Sequence, residues 1–152
     1  MPAMIRIALG ALLFSAFMAQ GSAASARARI KPDDTLTAVM AGEFALQAGR
    51  LPEASRWYLQ AARASDDAGL AERATRIALL ANDDAQATQA LKLWRQRAPQ
   101  SLAMRAAEAA LALRKSDAHA ARRELEALLR DKDEMGWRYA LTVLGSGGRD
   151  PE

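Results

Sequence analysis

Few residues in this chain are of the types and spacings that chemistry uses. Asp131-Lys132-Asp133-Glu134-Met135-Gly136 opens like a calcium loop, with carboxylates at its first and third positions and glycine at its sixth. Its fifth position is Met135 and its twelfth is Thr142, so the bidentate glutamate that completes such a loop is missing. The run reads as acids at the start of a helix. His119 is the sole histidine, and there is no cysteine. That removes two-imidazole and cysteine-ligated metal sites, thiol nucleophiles, disulfides and lipid attachment at an N-terminal cysteine. Glu124 and Glu126 stand two apart and do not face each other on a helix, as a paired acid and base would have to. Gly145-Ser146-Gly147-Gly148 is short for a phosphate loop and no Lys–Ser/Thr pair follows it, nor is there a G-x-S-x-G elbow. Trp57, Trp94 and Trp137 invite a ligand cage, but their spacing from Ala54, Ala87 and neighbouring apolar residues favours packing between helices. No catalytic, metal-binding or cofactor-binding residue emerges, and no enzyme is expected.

The elements that must position these residues are helical. Alanine supplies 37 of the 152 residues, against five prolines and nine glycines, a composition that favours an all-α chain. Charged residues make up 26% and are dispersed, which excludes a multi-span membrane protein. Net charge is +3, from 21 basic and 18 acidic residues. Acids interleave with the bases, as in Arg122-Arg123-Glu124-Leu125-Glu126, so no face concentrates positive charge as a duplex-DNA binder does.

The segment 1–26 differs from the rest. Arg6 precedes an uncharged apolar run from Ile7 to Ala19, followed by small residues, with Gly21-x-Ala23 and Ala24-x-Ala26 as cleavage-like patterns. This is the layout of a secretory signal peptide over residues 1–26. An uncleaved anchor is the alternative, because Ile7 to Ala26 carries no charge; only its first thirteen residues are strongly apolar, which is short for a span. Arg27, Arg29 and Lys31 just beyond it run against the usual charge rule for export. Residues 27–34 read as a linker.

A repeat runs through the remainder of the chain. Ala54, Ala87 and Ala121 recur at intervals of about 34 residues, and each begins the core stripe of a helix. Four residues on stand Tyr58, Leu91 and Leu125, and seven on stand Ala61, Trp94 and Leu128, along the same face. Twelve residues before each anchor are the small Gly42, Thr75 and Ala109, suited to close helix approach. Turns beginning at Gly49, Asn82 and Ser116 precede the anchors. The expected helices are 35–48, 52–64, 69–81, 85–97, 101–114, 118–130 and 134–144, with 145–152 a flexible tail.

On these residues the chain resembles the tetratricopeptide repeat, a helix–turn–helix unit of about 34 residues. Gly42, Gly49, Ala54, Tyr58 and Ala61 stand at consensus-type places in the first unit, and Ala87 and Pro99 in the second. The first unit has Asp66 where the family has proline, and no unit has the family's early tryptophan. The resemblance implies a domain over 35–144 with units 35–68, 68–101 and 102–135 and a partial unit 136–144. It implies a right-handed superhelical array of about three repeats, a capping or continuing C-terminal helix, and an N-terminal signal helix before them. The apolar Trp137, Tyr139 and Leu141 suit poor solvation of that last helix; the expectation is that the array continues, and that the chain without residues 1–26 self-associates or unfolds cooperatively at modest temperature.

In resembling proteins the first helix of each unit lines a concave groove for peptides or extended segments. Carried over by register, its lining is Glu43, Leu46 and Gln47, then Glu72, Arg76 and Leu80, then Ala110 and Arg114. Charge reversal at Arg76 and Arg114 is expected to weaken partner capture without lowering the melting temperature. Together with the leader, this resembles exported tetratricopeptide-repeat proteins of Gram-negative bacteria. The expected role is a non-catalytic scaffold or adaptor in the periplasm or cell envelope, with a protein or peptide partner, no cofactor and no nucleic acid. Membrane contact is expected only if the N-terminal helix is retained, which would make an inner-membrane-anchored protein; a helical-repeat nucleic-acid binder is the remaining alternative.

Overall fold

A computed structural model describes residues 32–132 and 135–147, and the expected signal segment lies outside them. Among the described residues the chain is all-helical, with seven helices and no strand: α1 (Pro32–Gln47), α2 (Leu51–Arg63), α3 (Ala68–Leu80), α4 (Asp84–Arg97), α5 (Leu102–Arg114), α6 (Ala118–Leu129) and α7 (Gly136–Gly147). They pack in adjacent pairs, α1 with α2, α3 with α4 and α5 with α6, while α7 lies across α5 and α6. Among the described residues no helix is long and apolar enough to cross a membrane.

Most boundaries fall within a residue or two of the periodicity, for a local reason. Three helices end the same way. The left-handed residue recurs at Gly49 (φ 69°), Asn82 (φ 55°) and Ser116 (φ 57°), spaced like the alanine anchors. At each, that residue's N–H bonds three residues back: Gly49 to Leu46, Asn82 to Leu79 and Ser116 to Leu113. The next N–H bonds five back, at 2.8–2.9 Å, from Arg50 to Ala45, Asp83 to Ala78 and Asp117 to Ala112. This double bond satisfies the carbonyls that a helix end leaves over. Glycine adopts the left-handed conformation freely, asparagine tolerates it, and Ser116 bears its cost. Four helices start on side-chain caps. Asp83 accepts from the Gln86 amide at 2.9 Å, Asp117 from Ala120 at 3.0 Å, Asp67 from Gly69 at 2.7 Å and Ser101 from Met104 at 3.2 Å. The backbone bond from Gln86 leads the causes that hold the Asp83 carboxyl below its ordinary range.

Two ends differ from expectation. α1 starts at Pro32, three residues early, because proline costs little in a first turn and the helix dipole favours the acids that come next. α7 runs to Gly147, so Gly145, Ser146 and Gly147 belong to the helix and not to a tail, and the rest of the expected tail lies outside the described residues. The Ser146 hydroxyl donates to the Val143 carbonyl at 2.9 Å in this last turn. The calcium-like run also gains another account. Gly136 abuts the end of α6 so closely that a Cβ there would stand 1.8 Å from the Leu128 carbonyl oxygen. Backbone approach, not a metal loop, requires glycine at that position.

The aligned positions form the core. Ala54, Ala87 and Ala121 are buried, as are Ala61, Trp94 and Leu128, and Thr75 and Ala109 with Gly42. Most buried apolar residues are alanine, so backbones come close, and Tyr58, Trp94, Met104 and Leu128 fill the remaining volume. Burial of each of these large side chains contributes about 2–3 kcal/mol. Trp57 is partly buried against this core, but Trp137 is 47% exposed on α7, under the Arg138 guanidinium at 5.4 Å. Packing thus accounts for two of the three tryptophans.

Candidate interaction surface

The eight residues expected to line a groove lie on α1, α3 and α5, and the structure uses them unequally. Glu43 is drawn inward. The Tyr58 hydroxyl of α2 donates to its carboxylate, and Arg73 of α3 pairs with the same oxygen. The Arg73 guanidinium lies 5.0 Å from the Tyr58 ring centre, a favourable cation–π placement. Burial, and then the bond to Glu43, push the Tyr58 phenol up to about 12, against the pull of Arg73. Glu43 is therefore a joint of three helices. Leu46 packs against the core and Gln47 is exposed.

On α3, Glu72 and Arg76 pair along their own helix at 2.5 Å, and Arg76 is 66% exposed. Leu80 is exposed at the helix end. On α5, Ala110 is half-buried, while Arg114 reaches back to the preceding helix pair. It lies 2.7 Å from Asp84 and donates to the Leu79 carbonyl at 3.0 Å and to the Asn82 side chain at 3.1 Å. Gln47, Arg76 and Leu80 thus remain on the surface, whereas Glu43 and Arg114 join helix pairs. Reversing Arg114 would cost stability, so of the two arginines only Arg76 can be reversed without breaking a contact between helix pairs.

Sequence reasoning missed a cleft of about 390 Å³ between α4, α5 and α6, which contains none of those eight residues. Leu91, Leu111 and Ala112 give it an apolar lining, and Lys92 and Lys115 bring positive charge to it. Neither lysine has a carboxylate partner among the described residues; Lys115 donates to the Thr88 hydroxyl at 2.6 Å. Two buried carboxylates complete the lining. Glu108 pairs with Arg95, and Glu124 pairs with Arg105 at 3.3 Å and Arg123 at 3.1 Å. Both are held by guanidinium groups and act as internal counter-charges. Glu126 instead points outward to Arg122 and Arg130, at 2.7 and 2.8 Å, so the Glu124–Glu126 pair is split as its spacing implied. The Arg122 bond leads the causes that lower the Glu126 carboxyl.

A signal for this cleft existed. Glu108 stands one repeat length after Ala74 and Glu124 one repeat length after Ala90, and both alanines are buried. A carboxylate where the neighbouring pair buries alanine marks a junction built on charge. His119 is exposed in the first turn of α6. Among the described residues no group of three or more His, Asp or Glu side chains is placed to hold a metal ion.

What these observations define is a class: an all-α, repeat-like chain of helix pairs with a mixed-charge surface. No protein-family model matches the chain, and no curated protein matches it.

Proposed function

We propose that this chain is a non-catalytic interaction scaffold or adaptor of the bacterial cell envelope. In this reading its helix pairs form a tetratricopeptide-like superhelix, and α1, α3 and α5 present a concave surface to an extended partner segment. The recurrence of one helix ending at Gly49, Asn82 and Ser116, in step with buried positions one repeat apart, carries the reading. Equal turns at equal spacing aim successive first helices alike, as a continuous recognition face needs. Gln47, Arg76 and Leu80 supply that face with amide, cationic and apolar contacts for a peptide's backbone and charged end. Export rests on the leader-like residues 1–26.

The test is crosslinked affinity capture from the envelope fraction of the source cell, with wild type and Arg76→Glu side by side. Among the described residues Arg76 pairs only within its own helix, so the variant should lose the partner by roughly tenfold or more while its melting temperature stays within a degree or two. Equal capture by both proteins rejects the groove. N-terminal sequencing of expressed material decides the compartment: a start near Ala24 or Arg27 supports release, and an intact start replaces it with membrane anchoring.

A further inference from the structure

Both ends of the described helical stack carry an uncovered apolar stripe. On α1, Leu36, Met40 and Phe44 follow one another at single-turn spacing, each half or more exposed. On α7, Trp137, Leu141 and Leu144 follow at the same spacing, each about half exposed. Stripes of this size on a helix mark a contact surface. Repeat position shows what Phe44 is built for. Phe44 stands one repeat before Ile77 and two before Leu111. Those two residues are 6% and 5% exposed on α3 and α5, each of which has a helix pair before it, whereas Phe44 is 60% exposed. Phe44 is thus a position that stacking buries, left without a neighbour among the described residues.

We propose that the neighbour is a second copy of this chain, with α7 of one copy docking on α1 of the next, head to tail. Charge selects this pairing. α1 contains no basic residue and, apart from Glu43, which Arg73 already holds, carries the exposed acid Asp34; α7 contains Arg138 and no acid. Joining α1 to α1, or α7 to α7, would bring like charges together, whereas α7 on α1 brings opposite ones. A single heterologous contact also covers both stripes, while docking of the chain's own apolar run, Ile7 to Ala19, on α1 would leave α7 bare. The six side chains expose on the order of 600 Å² together, the area of a weak and reversible contact.

The absence of cysteine makes the test direct. Full-length Phe44→Cys and Leu141→Cys variants are oxidised separately and mixed, and the variant carrying both changes is oxidised alone. Both positions are exposed, so helical circular dichroism should match wild type. The mixed pair should form interchain disulfide at least about tenfold faster than either variant alone, with high salt reducing the difference, and the double variant should give a ladder of multimers. Equally fast linkage within Phe44→Cys or within Leu141→Cys overturns the proposal in favour of like-with-like pairing. No linkage, with the Phe44→Cys thiol shielded from alkylation, overturns it in favour of the chain's own N-terminal segment. No linkage with both thiols freely alkylated overturns it in favour of a monomer.

Discussion

The junction between α2 and α3 and the junction between α4 and α5 occupy the same place in successive helix pairs, yet they are made differently. The first is broad and apolar, and the Glu43–Tyr58–Arg73 cluster pins α1, α2 and α3 together. The second is thinner, opens into the cleft of about 390 Å³, and is spanned by the Arg95–Glu108 and Arg114–Asp84 pairs and the bond from Lys115 to Thr88. The main apolar cluster runs from Ala45 to Leu111 and leaves out the buried Ala121, Leu128, Ala140 and Val143 of α6 and α7. One register therefore does not imply one kind of interface. Apolar area holds the N-terminal part of the stack, and α5 joins it through Met104 and Leu111 together with the ion pairs, across a thinner junction that should open at lower cost.

The largest test of this contrast is Trp94→Ala. Trp94 is 2% exposed and belongs to the main cluster, and its loss should cost about 3–5 kcal/mol in denaturant unfolding. If hydrogen exchange rose only in α3 and α4, without spreading to α1 and α2, the idea of one cooperative N-terminal block would fail. Next comes the charged junction. Glu108→Ala should cost about 1 kcal/mol, because Arg95 is half exposed and solvent screens the pair. Its mark is regional: exchange should quicken in α5–α7 and leave α1–α3 unchanged, and added salt should act on wild type in the same way.

Ser116→Gly should stabilise by about 0.5–1 kcal/mol, by relieving a left-handed serine that glycine occupies freely at the equivalent residue 49. An unchanged denaturation midpoint would show that the turn carries no strain. The last test acts only at alkaline pH, outside the range of the others. The Tyr58 phenol is raised from 10.0 to about 12 in the folded chain, so the folded state holds this proton more tightly than the unfolded one. That contribution is complete below pH 10.0 and is lost as pH rises through about 12. Tyr58→Phe should flatten the stability curve across this window, and a curve of unchanged slope would place the phenol in an ordinary environment.

Much of this was legible from sequence because it is local. Ala54, Ala87 and Ala121 announced the helix pairs, and Asn82 and Ser116 take the left-handed conformation of Gly49 although neither is glycine. That conformation is a property of the turn itself, which asparagine tolerates and the flanking hydrogen bonds impose on serine. The reach of the surface side chains was less legible. Glu43 and Arg114 were placed on the right helices, but which partner a long charged side chain reaches depends on residues almost a full repeat away, Arg73 for one and Asp84 for the other.

Periodicity, capping residues and alanine content are short-range properties, and through them the order of residues alone set the seven helices, their pairing and most of their ends. Only the tertiary structure decided that one junction is broad and the next thin and bridged by ion pairs, that a cleft opens beside Glu108 and Glu124, and that Phe44 stands bare where Ile77 and Leu111 are covered. Helix formation is settled within a few turns of chain, whereas burial and ion pairing depend on which surfaces meet once the helices are stacked.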